Sequence, residues 1–414
     1  MESLSDGTDA IVAEFAAWVK RIGSEFAAVS TPQEAMKLEE EIGRGGLEIQ
    51  RRLLQERLQA GIERNQELLR RCPGCGGRRR HRGRQQRQQV STLGTCHLEG
   101  IYWQCPDCGS SVQSVDMVSP QRYSPAMAEA VLLLGVNCTS FAKGELLAKK
   151  LMRVELDDDT IRRHCEMAGQ AALSAGPSPV PAQAGELLWG SCDGTMVNTR
   201  EDKWREVKAA RFSHGKGEYA IASMESSEHF VPRMAALARA LESEGTMAFV
   251  SDCAEWITKG VGKELPRWKH IADYWHATQH ITPVAEELYK HEHPQDQQDF
   301  AEYFAQELRA AGGAQVADEL RLSAMSYPDL RHQRQVLDLA RFFDKHASRM
   351  EYPQYIRDGL PVDSGAMESL CKQLGLRMKG RGMRWSTKNV SPMACLVARW
   401  AVDPQRAMNK GLAA

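Results

Sequence analysis

The chain has no apolar run approaching the roughly 18 residues needed to cross a bilayer. Its opening, MESLSDGTDAIVAEF, lacks the basic segment followed by an apolar one that marks a secretory signal. These absences lead us to expect a cytoplasmic protein with no membrane partner. An even cysteine count is missing too: eleven Cys in 414 residues argue against a disulfide framework and for thiols kept reduced. Net charge is almost nil, −1 at pH 7, so the total does not point to a polyanion. Charge of one sign is missing only locally, which is more informative. Residues 71–98 carry Arg71, Arg78, Arg79, Arg80, Arg82, Arg84 and Arg87 and no acid, whereas 286–310 is acid-rich. Glu368 is the only acid between Asp363 and Asp403, and basic residues follow it from Lys372 to Arg399.

The length allows two to four domains. Residues 1–70 form an N-terminal helical region, with Leu and Ile at helical spacing interrupted by Gly45-Gly46. Residues 71–115 change to Gly, Arg, Gln and paired cysteines; 116–172 return to helix; 173–185, with Pro177, Pro179 and Pro181, read as a linker. The pattern then becomes strand-like, in the order β-β-β-α-β-α-β over 186–276, with RWKHIADYWH (267–276) as the last strand. Residues 277–350 read as nearly continuous helix inserted in a domain running from 186 to 400, and 401–414 form a C-terminal tail.

Cys72-Pro-Gly-Cys75-Gly and Cys105-Pro-Asp-Cys108-Gly give C-x2-C…C-x2-C. In each, Pro and Gly favour a tight turn that directs two thiolates at one ion, and four thiolates make a closed, structural Zn²⁺ site. The stretch between the pairs has room for a β-hairpin such as CHLEGIYWQC (96–105). Arg78, Arg79, Arg80, Arg82, Arg84 and Arg87, interleaved with Gln, suit phosphate contacts; a solvated loop is the plainer reading. Residues 140–169 could form a helix-turn-helix, with Asp157–Asp159 capping a second helix that carries Thr160, Arg162, Arg163 and His164. Any helix hairpin has this look, and the acids would repel phosphate.

Asp193 and Asp252 each follow an apolar strand pattern, where an ionised carboxylate is costly unless paired or bound to a cation. Adjacent strands would aim both at one point, and Glu368 on a helix would complete a cage for two divalent ions. Taken singly, Asp193-Gly194 also fits a turn, Asp252 an N-cap, and Glu368 with Lys372 a surface i,i+4 pair.

The segments CDGTMV (192–197), FVSDCAEWI (249–257), ADYWHATQHI (272–281) and GLPVDSGAMESLCKQLGLRMKGRGMRWS (359–386) resemble those of DDE-type insertion-sequence transposases of the Kra-type family, more distantly Mutator-like elements. The resemblance covers the chain from the paired cysteines to near the C-terminus. It implies an α/β fold: a ribonuclease H-like mixed sheet with an all-α insertion, preceded by helical segments and a zinc ribbon. It also implies Asp193, Asp252 and Glu368 as the metal-binding acids, with Mg²⁺ or Mn²⁺ as cofactor beside Zn²⁺. Asp273-Tyr-Trp-His276 is similar to a [C/D]-x-x-H motif of related transposases, so His276 would orient the scissile phosphate or DNA, a role His280 could share; packing beside Trp275 is the alternative. Lys372, Arg377, Lys379, Arg381 and Arg384 would meet the backbone of double-stranded DNA, and Trp385 would stack on an unpaired base or pack in the core. The implied reaction is cleavage of element ends and 3′-OH strand transfer by a homo-oligomer on DNA. A metal-dependent nuclease without strand transfer and a catalytically decayed regulator remain as alternatives.

Overall fold

The computed structural model describes residues 6–215, 217–290 and 294–404, which leaves out part of the expected C-terminal tail and of the acid-rich stretch. The chain divides into two compact units, Met1–His164 and Cys165–Ala414. Among the described residues, no helix is long and apolar enough to cross a membrane.

The first unit opens with α1 (Asp6–Glu25) and α2 (Pro32–Leu69). They run antiparallel, since Thr8 bonds Glu56 and Glu14 pairs with Arg52. The break falls at residues 26–31 rather than at Gly45-Gly46. Thr31 and Glu34 form a reciprocal capping box followed by Pro at the first helical position, a strong start signal. Gly45 serves packing instead: a Cβ there would lie 2.2 Å from Trp18 Nε1.

Strands β1 (Arg80–Ser91), β2 (Gly94–Gln104) and β3 (Ser111–Gln113) form an antiparallel sheet in that order. From Arg80 onward the arginine-rich stretch is therefore strand, not loop, while Arg78 and Arg79 precede it. Residues 96–105, expected as a hairpin, are mostly the single strand β2, because the turn lies earlier, at Thr92-Leu93. Beyond its short pairing with β3, the outer edge of β2 is covered by α2 side chains spaced four apart. Arg51 donates to Thr95 O, Gln55 accepts from the His97 N–H, and Gln59 both accepts from and donates to the Glu99 backbone. Such cover removes an edge that would otherwise recruit another strand. Beneath it Leu54, Leu58 and Ile62 pack on Cys96, Leu98 and Val115.

Next come α3 (Pro125–Asn137), α4 (Phe141–Leu147) and α5 (Asp158–Ala175). Asp157 does cap α5, accepting from the Thr160 N–H at 2.5 Å. Thr160 is buried, Arg162 and Arg163 pair with Asp159, and His164 bonds back to Thr160 O with its ring edge-on to Tyr123.

The second unit is built on β4 (Leu188–Thr199), β5 (Lys203–His214), β6 (Gly217–Ser223), α6 (Ser227–Leu241), β7 (Met247–Ser251), α7 (Glu255–Glu264) and β8 (Lys269–Ala272). The sheet is mixed, ordered β6-β5-β4-β7-β8, with β4–β5–β6 antiparallel and β4–β7–β8 parallel. The expected last strand stops at Ala272, because Asp273 caps a helix there. The supposed continuous helix over 277–350 is a set of shorter ones: α8 (Tyr274–Thr278), α9 (Thr282–Leu288), α10 (Pro294–Ala311), α11 (Gly313–Ala324) and α12 (Leu330–His346), with α13 (Tyr352–Arg357) after it. Together they bury Phe300, Phe304, Leu320 and Phe343 with Val250 and Ile271 on one face of the sheet; α6 and α7 cover the other through Phe230, Met234 and Ile257 on Phe212 and Phe249. Helices α14 (Gly365–Met378) and α15 (Thr387–Val402) close the unit.

The presumed linker is not loose. Val180 bonds Tyr219 and His214, the Ala182 N–H donates to Leu241 O, and the Gly185 N–H donates to Glu244 O.

Candidate metal centres

In the first unit the two cysteine knuckles are near copies. The Gly76 N–H donates to Cys72 O and the Gly109 N–H to Cys105 O, and both glycines have φ near +74°, a left-handed turn that favours Gly. Cys72, Cys75, Cys105 and Cys108 come together with all four sulfurs within 4.8 Å of one another, including Cys72–Cys108 at 3.5 Å and Cys75–Cys105 at 3.4 Å. This cluster could hold zinc. A hydrogen bond from Ser110, with others from the knuckle backbone, pulls the Cys72 thiol down to about 5. The Gly77 N–H lowers Cys75, but the neighbouring sulfurs outweigh it and push that thiol up. So compact a set cannot ionise together without a cation.

Of the arginines beside it, Arg78, Arg80, Arg82 and Arg84 are exposed. Arg79 is buried, and Arg87 is engaged by Asp116, Ser119 O and Gln113.

In the second unit, strand register gathers acids. Cys192 on β4 pairs with Ser251 on β7, and Ser251 with Ala272 on β8. Asp193, Asp252 and Asp273 each come one residue later, where the two neighbouring parallel pairings β4–β7 and β7–β8 end. The chain's order reverses between β4 and β7, and open α/β sheets bind ligands outside strand ends at such a point. The charges interact: burial, then the Asp193 carboxylate, raises Asp252, while the Ala254 N–H at 3.0 Å and His276 partly offset this.

Asp273 is 2 % exposed. It accepts from the His276 N–H at 2.8 Å and from the Ser364 N–H at 2.5 Å, and its carboxylate lies 3.1 Å from His276 Nδ1. Burial alone would raise it, but the His276 and Ser364 hydrogen bonds hold it below the usual carboxylate value. His276 is raised by Asp273 first and, against burial, by Asp193 and Asp252. His280 does not join this group: its ring stacks on Phe342 at 3.9 Å, and burial lowers it.

Helix α14 passes β4 so that Cys371 Sγ lies 3.6 Å from Asp193 Oδ2. Burial and then the Asp193 charge push this thiol up to about 12, with a smaller push from Glu368 one turn earlier. Glu368 itself is exposed and pairs with Lys372 at 2.9 Å. Among the described residues only the cysteines form a tight ligand cluster of three or more; the carboxylates are more widely spaced.

Of the basic strip, Lys379, Arg381 and Arg384 are exposed. Arg377 and Trp385 face inward, with the guanidinium 5.2 Å from the indole centre and the indole N–H donating to Met378 O. The sequence reading missed the tie from Asp273 to Ser364 and the position of Glu206, whose carboxylate covers Gly194 beside Asp193. Neither had a local signal: the Asp-x-x-His spacing points to the cap at His276 and not to Ser364, and Glu206 depends on cross-strand placement.

No protein-family model and no curated protein matches the chain. Among solved structures, "Crystal structure of the Mos1 Strand Transfer Complex" is 13 % identical, covers 56 % of this chain and 79 % of its own, and has a TM-score of 0.17. A likeness that slight bears on neither fold nor function.

Proposed function

We propose that the chain is a DNA transposase whose second unit is a ribonuclease H-like catalytic domain of the DDE type. The observation that carries this reading is the register that ends the parallel β4–β7 pairing at Cys192 and Ser251, so that Asp193, midway along β4, and Asp252, just past β7, both follow it directly. Two carboxylates in mutual repulsion, one of them raised by burial, fit a site completed by a cation. Their all-oxygen donors suit a hard ion, so Asp193 and Asp252, with Glu368 from α14, would hold Mg²⁺ or Mn²⁺. When bound, the ions activate a water or 3′-hydroxyl and stabilise the leaving oxygen in phosphodiester displacement.

The chain's own groups supply the rest. His276, whose charged form Asp273 favours, would offer a cation to a scissile phosphate. Asp273 also holds the segment leading into α14, so one buried carboxylate sets both the histidine and the approach to Glu368. Lys379, Arg381 and Arg384, with Arg78, Arg80, Arg82 and Arg84, would neutralise backbone phosphates of double-stranded DNA without reading sequence. Arg377 and Trp385 act inside the fold. Zn²⁺ on the cysteine cluster is structural, and a homo-oligomer would engage paired ends.

A labelled duplex carrying an element end, incubated with Mg²⁺ and a supercoiled target, tests the reading. Joined products are expected. Cleavage without joining would make the protein a nuclease, and neither product from a protein that binds the duplex would overturn the catalytic reading.

A further inference from the structure

A cavity of about 250 Å³ opens between the end of α5, Gly176–Pro179, β6, α6 and α15. Leu173, Pro177, Pro179, Ile221 and Leu237 give it an apolar wall. Two arginines interrupt that wall. Arg399, in the last turn of α15, is 9 % exposed, and its buried Nε has no hydrogen-bond partner. Among the described residues no carboxylate pairs with it; its polar neighbour is the Cys395 thiol. Arg233, on α6, bonds Glu225 and Ser223 through Nη2, yet its Nε is likewise buried without a partner. A buried charge without a counter-charge is costly, and the most economical remedy is an anion.

We infer that this cavity binds a small monocarboxylate with a short apolar chain. The carboxylate would take the free N–H groups of Arg399 and Arg233, and the chain would lie on Leu173, Pro177 and Leu237. At about 30 Å³ for each water-sized group, the space holds roughly eight heavy atoms, the size of hexanoate. A phosphate would leave the apolar wall uncovered, and an alcohol would leave the Arg399 charge unmatched. The inference stands apart from the catalytic reading, since none of these residues belongs to the acidic site.

Calorimetric titration of the full chain with hexanoate tests it, with acetate, inorganic phosphate and hexan-1-ol as comparisons. Saturable binding of one hexanoate per chain is expected, at least about tenfold tighter than any comparison ligand. Arg399→Met should weaken it by about tenfold or more. Ala240→Leu, which narrows the mouth and keeps the charge, should weaken it too, and stands in should Arg399→Met not fold. Absence of saturable heat to about 10 mM would overturn the inference and leave ordered water as the occupant. So would equal binding of hexan-1-ol or phosphate, or undiminished hexanoate binding by either variant.

Discussion

The four cysteines come from two short turns, each presenting its pair through four consecutive residues. Asp193 lies on β4 and Asp252 and Asp273 just past β7 and β8, and register alone brings them together, because Cys192, Ser251 and Ala272 pair across a sheet. The first cluster is local and tight, in a unit that also holds a small core of Ile62, Cys96, Leu98 and Val115. The second is spaced by strand separation and rests on two large cores, one on each face of the sheet. A thiolate cluster of the first kind depends on its ion for stability. A carboxylate group of the second kind is positioned by a fold that forms without one, and pays for that with repulsion between its acids.

The sharpest way to break this contrast is to remove the ions. Cys105→Ser should abolish zinc binding and, because a structural site contributes on the order of 10 kcal/mol, expose β1–β3 to proteolysis while the second unit stays resistant. Zinc content and limited proteolysis check this. Asp252→Asn should do the reverse: folding persists, and cleavage falls on the order of 10³-fold with duplex binding kept, as expected when an ion that stabilises transition-state charge is lost.

Smaller effects sharpen the division of the basic strip. Trp385→Ala removes a buried indole and should cost about 3 kcal/mol of stability, read by denaturant unfolding of the second unit. Arg384→Ala should leave stability unchanged and reduce the slope of log affinity against log salt by about 0.9. The smallest effect is the pH dependence of the metal-free protein. Asp252 is raised in the fold, so its stabilising contribution is complete below the unfolded carboxylate pKa and is lost as pH rises through the raised value. Asp252→Asn should therefore raise Tm at pH 7 by ~2 °C, a small shift because the group is partly exposed, and not at about pH 4. Scanning calorimetry at both pH values checks the sign.

Local signals in the sequence were read well. Paired CPxCG turns place cysteines whatever the surrounding fold does, and alternating apolar runs gave the β-β-β-α-β-α-β order. Signals that depend on partners were not. Gly45-Gly46 looked like a helix break because a glycine's packing neighbour, here Trp18, lies outside the local pattern. Arg377 looked like part of a DNA surface because charge runs do not reveal which members point inward, whereas Trp385 packs in the core, one of the two uses open to it. The prolines of 173–185 suggested a free linker, although bonds to Tyr219, His214 and Leu241 hold it. The tie from Asp273 to Ser364 joins segments far apart in sequence, and only the folded chain brings them together.

The most direct test of the acidic site is Mn²⁺ binding, followed by electron paramagnetic resonance on zinc-loaded protein so that the cysteines are already occupied. Wild type should bind Mn²⁺ saturably, and Asp193→Ala and Asp252→Ala should each lose that binding while keeping their zinc. Unchanged Mn²⁺ binding in both variants would contradict the central claim that strand register at β4 and β7 builds a metal site.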